Sequence, residues 1–175
     1  MNLPIYTQAV ATLLLCGAAA WTDYRTGRIP NRLTVTGLCF GLTLGLITQG
    51  IRGGVLAGVG ALLTALVPLL LFRFRAMGGG DVKLFAAIGS LVGAQVGLEL
   101  QMLAFIFGAF QGVIVWLRAG QLRQGFGHVV GLIIPPIFRA RRADAGAVAV
   151  RQTEIRFGPA IFVAAVTSIL CRLAG

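Results

Sequence analysis

The sequence predicts an all-α, polytopic integral membrane protein with about six transmembrane helices, and three observations carry that reading. The 175-residue chain is 57% hydrophobic and only 11% charged, with a mean hydropathy of +0.89, whereas a soluble domain carries about 25% charged residues. Its apolar residues gather into runs of roughly 18, about 27 Å of helix and enough to cross a bilayer core. Its basic residues lie in short stretches between those runs, where they act as topology signals.

Six runs can be drawn, at about 4–21, 33–50, 54–72, 82–98, 100–117 and 157–174. The first has no Lys or Arg ahead of it, and Trp21-Thr22-Asp23 is a poor small-residue cleavage site. It is therefore read as a spanning helix and not as a removed signal peptide. The second follows Pro30-Asn31, which ends a loop and caps the helix. The second and third carry Gly37, Gly41, Gly45, Gly54, Gly58 and Gly60, small residues that let neighbouring backbones approach. The fourth is the weakest, with Gln95 and Glu99 near its end. The sixth starts at Gly158-Pro159, with Pro in the first turn, where its missing donor is harmless.

All six runs belong to one expected membrane-embedded domain, 1–175, with a long loop at about 118–156. That loop is apolar from Val129 to Phe138 but broken by Pro135-Pro136, and reads as an interfacial helix followed by an arginine-rich headgroup contact. Its His128 is the single histidine of the chain and is read as structural. Trp21, Tyr24 and Trp116 read as interfacial belt residues.

Thirteen of the fifteen basic residues fall in three loops on one side: Arg25, Arg28 and Arg32; Arg73, Arg75 and Lys83; and seven arginines from Arg118 to Arg156. By the positive-inside rule that side is cytoplasmic, and six spans put both termini in the periplasm. A net charge of +10 would suggest nucleic acid for a soluble chain, but here it is topological, and no nucleic-acid partner is expected. Cys16, Cys39 and Cys171 lie within apolar runs without a CxxC pair. No zinc knuckle or disulfide framework is encoded, and the thiols are read as buried small apolar groups.

Acid is scarce, at five residues, so its placement is informative. Asp81 follows Gly78-Gly79-Gly80 at the mouth of the fourth run, and Asp23 ends the first run on the same face. Taken alone, Asp81 reads as a helix N-cap. Taken together, two carboxylates at one depth at a membrane boundary suggest a catalytic pair, because desolvating such groups is costly. Close approach would leave one proton between them, one ionised group acting as base on a water and the other as acid. The three glycines would then give the turn unusual dihedrals and let an extended substrate lie beside it. Lys83 reads either as tuning the pair and orienting the glycine turn, or as snorkelling to headgroups.

Gly78-Gly79-Gly80-Asp81 fits a GxGD signature. "DYRTGRIPN" from Asp23 to Asn31, "GGGDVKLFAAIG" to Gly89 and "RFGPAIFVA" from Arg156 to Ala164 together resemble the type IV prepilin peptidases. The resemblance covers most of the chain, with 118–156 the least alignable part. It implies Asp23 and Asp81 as the catalytic aspartates; beside them Gly78, Gly79, Gly80 and Lys83 are read from the residues as loop-shaping or substrate-binding, and no metal or organic cofactor is expected. It implies cleavage of a short basic leader from prepilin or pseudopilin substrates at the cytoplasmic face of a bacterial inner membrane, with the pilus assembly machinery as a further partner. Bifunctional members carry a cytoplasmic insertion with paired CxxC motifs. Here Asp23 follows the first run directly, as in the short form of Flp/Tad-type pilus systems, so N-methylation is not expected. Two readings from other classes stand beside this one: a small proton-coupled transporter using the aspartates as relays, and a non-enzymatic assembly subunit docking through the arginine loop.

Overall fold

The computed structural model describes residues 3–74, 76–118 and 157–174. They form four helices: α1 (Leu3–Thr26), α2 (Asn31–Arg73), α3 (Gly79–Arg118) and α4 (Gly158–Ala174). No strand occurs among the described residues. The chain divides into two compact units, residues 1–108 with 156–175, and residues 109–155. Of the second unit, 109–118 are described, as the C-terminal end of α3. Arg75, His128, Pro135-Pro136 and the arginines of the 118–156 loop beyond Arg118 lie outside the described residues, and Trp116 is described in its backbone alone.

α2 and α3 run to 43 and 40 residues, but each is interrupted at one glycine. Gly50 has φ 64° and ψ −151°, and Gly93 has φ 81° and ψ 173°. A side chain at such a φ costs about 1–2 kcal/mol, and no atom lies within 4 Å of a Cβ built at either position. The need for glycine there is conformational, not steric. The chain reverses at both points. A Cβ on Gly45 would lie 2.7 Å from the Gly53 carbonyl oxygen, and one on Gly97 would lie 3.2 Å from Gly89 Cα. Eight residues along a continuous helix would be about 12 Å apart.

The described chain therefore contains six helical segments: α1, 31–49, 51–73, 79–92, 94–118 and α4. The first break falls close to the expected gap between the second and third runs. The second falls at Gly93, several residues before the expected gap at 98–100. Polarity at Gln95 and Glu99 suggested the later position, but a left-handed φ favours the glycine.

The first half of α3 sits at the centre of the larger unit. Leu84, Phe85, Ala87 and Ile88 are fully buried, against Cys16 and Ala19 of α1 and Ile161, Ala164 and Ala165 of α4. Small residues set the helix spacing. A Cβ on Gly89 would overlap both the Thr64 hydroxyl and the Gly60 carbonyl oxygen of α2. Buried Thr64 places its Oγ1 2.8 Å from the Phe85 carbonyl oxygen, a hydrogen bond from α2 to α3. Cys16 is buried as expected, whereas Cys39 and Cys171 are exposed, a correction that follows from their positions on the outer faces of their helices.

Those outer faces are apolar: Ile47, Ile51 and Leu62 are 77%, 82% and 73% exposed. Apolar surface on this scale needs a cover other than water, and lipid supplies it. Asn31–Arg73 and Gly79–Val115 are long and apolar enough to cross a membrane.

Candidate active site

Asp23 lies in the last turn of α1. The helix stops because Gly27 takes φ 65° and returns its N–H to the Asp23 carbonyl oxygen at 2.8 Å, a left-handed cap that favours glycine. The Asp23 side chain is buried, 7% exposed, and reaches across to α4. Its Oδ2 accepts the Gly158 N–H at 2.8 Å. Gly158 is the first residue of α4, so the carboxylate takes one of the N–H groups that a helix start leaves without an internal partner.

Asp81 lies in the first turn of α3, and its expected place as N-cap is corrected. The Asp81 and Val82 N–H groups donate to the Gly78 carbonyl oxygen at 3.2 and 3.4 Å, so Gly78 occupies the cap and Asp81 the third helical position. From there the carboxylate accepts a hydrogen bond from the Gly78 backbone, the back-reaching half of a capping box. Asp81 is half-buried, largely withdrawn from water and near enough to Asp23 to feel its charge. The structure thus brings both sequence-predicted carboxylates to one site. Of the described acids, Glu99 is elsewhere, paired with Arg172.

The glycines serve a different need from the one expected. None of Gly78, Gly79 and Gly80 has a left-handed φ. A Cβ on Gly78 would lie 3.1 Å from Asp81 Oδ2, one on Gly79 3.3 Å from the Phe72 ring, and one on Gly80 3.1 Å from Ile29 Cβ. The turn is glycine because it is pressed between the carboxylate, the end of α2 and the loop after α1.

Lys83 joins the same arrangement. Its Nζ donates to Asn31 Oδ1 at 2.8 Å, tying the start of α3 to the start of α2. Asn31 therefore holds Lys83 and does not cap α2, whose N-cap is Pro30 without a side-chain bond. At the rim, exposed Trp21 carries the Arg25 guanidinium 4.4 Å from its ring centroid, a cation–π pair suited to a headgroup boundary.

Sequence reasoning missed one direct partner, the Gly158 N–H. The available signal was the "FGP" stretch, read there as a helix start and a family likeness. Among the described residues no three His, Cys, Asp or Glu side chains gather as a metal site would require. Two carboxylates that interact electrostatically, one buried and one half-buried, are the acidic groups of this site.

The profile of the type IV leader peptidase family matches residues 10–117, a range that holds both aspartates and ends before α4. The chain is 30% identical over 124 residues to a prepilin leader peptidase/N-methyltransferase of Burkholderia pseudomallei, covering 66% of this chain and 40% of that protein. It is 37% identical over 99 residues to the prepilin peptidase EppA of Methanothermobacter thermautotrophicus, covering 49% of this chain and 23% of that protein. The aligned stretches thus span less than half the length of these curated relatives. No solved structure matches the chain.

Proposed function

Because the chain belongs to the type IV leader peptidase family, we propose that it is an aspartic-type endopeptidase of prepilin-like proteins, using Asp23 and Asp81 to activate water. The observation that carries the reading is that the Asp23 carboxylate at the end of α1 and the Asp81 carboxylate at the start of α3 interact electrostatically, beside a tightly packed glycine turn. Two carboxylates meeting over one water favour a state with one proton between them. The ionised group takes a proton from water as the oxygen adds to the scissile carbonyl carbon. The protonated group then delivers its proton to the leaving amine nitrogen as the C–N bond breaks. The two carboxyls exchange roles over one turnover, so no external acid or base is consumed.

The topology proposed with this mechanism is six crossings, one for each helical segment, in a bacterial inner membrane as a single membrane-embedded domain, with both termini in the periplasm. The site then lies at the cytoplasmic boundary, where the basic loops also lie. A substrate of short basic leader and following apolar helix fits that placement, its helix in lipid and its leader in the cytoplasm. Flp-type prepilins are the proposed substrates, without N-methylation of the product and without a metal or organic cofactor. A proton relay would use acids deeper in the helices than the last turn of α1 and the first turn of α3.

Lys83 is proposed to steady the site from its edge. Lys83→Met is expected to lower cleavage by less than about tenfold, since an exposed hydrogen bond contributes roughly 1 kcal/mol. Initial rates on a prepilin substrate check this, and a loss beyond about a thousandfold would put the amine among the reacting groups instead.

The proposal is tested by reconstituting the protein in lipid vesicles with a synthetic Flp-type prepilin and reading the products by mass spectrometry. One cut at the leader boundary, leaving an unmethylated new N-terminus, is the expected result. An intact prepilin, or cuts scattered along the chain, would overturn it.

A further inference from the structure

The dyad is held from a side that the reaction scheme does not use. Phe157 is the last residue before α4, and its carbonyl oxygen accepts the Ile161 N–H at 3.2 Å, which starts the helix. Its ring packs tilted against that of Phe105, with centroids 6.0 Å apart, and Phe105 in turn meets Phe85 edge-on at 5.9 Å. A Cβ on Gly108 would overlap the Phe157 ring, so the ring rests directly on the α3 backbone. One residue later, the Gly158 N–H points at Asp23 Oδ2. There is no slack in this contact: a Cβ on Gly158 would lie 2.8 Å from both Asp23 Cβ and Oδ2, and 3.2 Å from Ala20 Cα.

We infer that Phe157-Gly158 is a positioning element of the dyad: the Gly158 N–H holds the Asp23 carboxylate in place, and Phe157 anchors that N–H to Phe105 and Gly108 of the second segment of α3, and through Phe105 to Phe85 of the first segment, which carries Asp81. Oδ2 is thereby committed to α4, and Oδ1 is the oxygen left to exchange a proton with water or substrate. Separation of the two carboxylates then depends on how α4 seats between α1 and α3. The inference rests on the peptidase reading, and it extends the machinery to a segment beyond the span of the family match.

The test removes the N–H without adding an atom. Gly158 is replaced by glycolic acid during cell-free synthesis into lipid vesicles, which exchanges the N–H for an ester oxygen. kcat and KM are measured separately on a synthetic prepilin, with the thermal midpoint of each variant. Gly158→Ala is compared alongside, and Gly17→Ala serves as a control. Gly17 lies on the same α1–α4 interface, where a Cβ would meet the movable Phe162 ring at 3.3 Å.

The ester variant is expected to lose about 10- to 100-fold in kcat, with KM and thermal midpoint close to wild type. Gly158→Ala is expected to lose about 100-fold or more, because displacing a reacting group by about 1 Å costs that much, while Gly17→Ala keeps kcat. A wild-type kcat in the ester variant would overturn the inference, as would losses in Gly158→Ala matched by Gly17→Ala. If the wild-type protein leaves the prepilin intact, the peptidase reading falls and this inference with it. If wild type cleaves and the ester matches it, only the positioning role falls.

Discussion

Asp23→Asn and Asp81→Asn are each expected to reduce prepilin cleavage by at least about 10³-fold while leaving the helices assembled, the range lost when a general acid or base is removed. The amide is nearly isosteric with the carboxyl and keeps an acceptor oxygen. An amide at position 23 can still receive the Gly158 N–H that Asp23 receives at 2.8 Å, and one at position 81 can still bond back to Gly78. What the amide cannot do is take up or release the proton that hydrolysis moves. The double variant should be no slower than the slower single one, because two groups that act as a unit are not additive. Initial rates in vesicles measure the loss, and thermal midpoints within about 3 °C of wild type would show that the fold survived. Cleavage by both single variants at more than about a tenth of the wild-type rate would remove the dyad and leave Asp81 as the capping residue its geometry also allows.

The largest expected effect on stability comes from Gly89→Ala. A Cβ there has nowhere to go: it would overlap the Thr64 hydroxyl and the Gly60 carbonyl oxygen, and Gly60 presents backbone, not a side chain that can turn away. α2 and the first half of α3 would have to separate, weakening the Thr64 to Phe85 hydrogen bond that joins them. Overpacking of this kind costs about 1–3 kcal/mol, read as a lowered thermal midpoint in detergent. Gly58→Ala is the contrast. No atom lies within 4 Å of its Cβ position, so the same substitution should stabilise by about 0.5–1 kcal/mol through helix propensity alone. If both variants shift the midpoint alike, the close packing of α2 on α3 is wrong.

The two substitutions also separate what glycine does in this chain. At Gly50 and Gly93 it permits a left-handed φ where the chain reverses. At Gly89 and in Gly78-Gly79-Gly80 it permits closeness at an ordinary φ. Both kinds look the same in the sequence. The expectation of unusual dihedrals at Gly78-Gly79-Gly80 failed for that reason, and the reversal at Gly93 was expected later, near the polar Gln95 and Glu99.

What the sequence determined by itself is what composition and chain-local chemistry can encode. Runs of apolar residues define the helices, because each backbone must satisfy its own hydrogen bonds in lipid. Two aspartates at helix ends stand out because so few acids occur elsewhere. The tertiary structure decided what depends on atoms far apart in the chain. It put the Asp23 carboxylate against Gly158, 135 residues away, and tied Lys83 to Asn31, 52 residues away. It placed Asp81 at the third helical position and not at the N-cap, bonded back to Gly78. A hydrogen bond or a clash is set by separations of a few tenths of an ångström. Those are fixed only when every helix has found its neighbours, and no spacing along the chain records them.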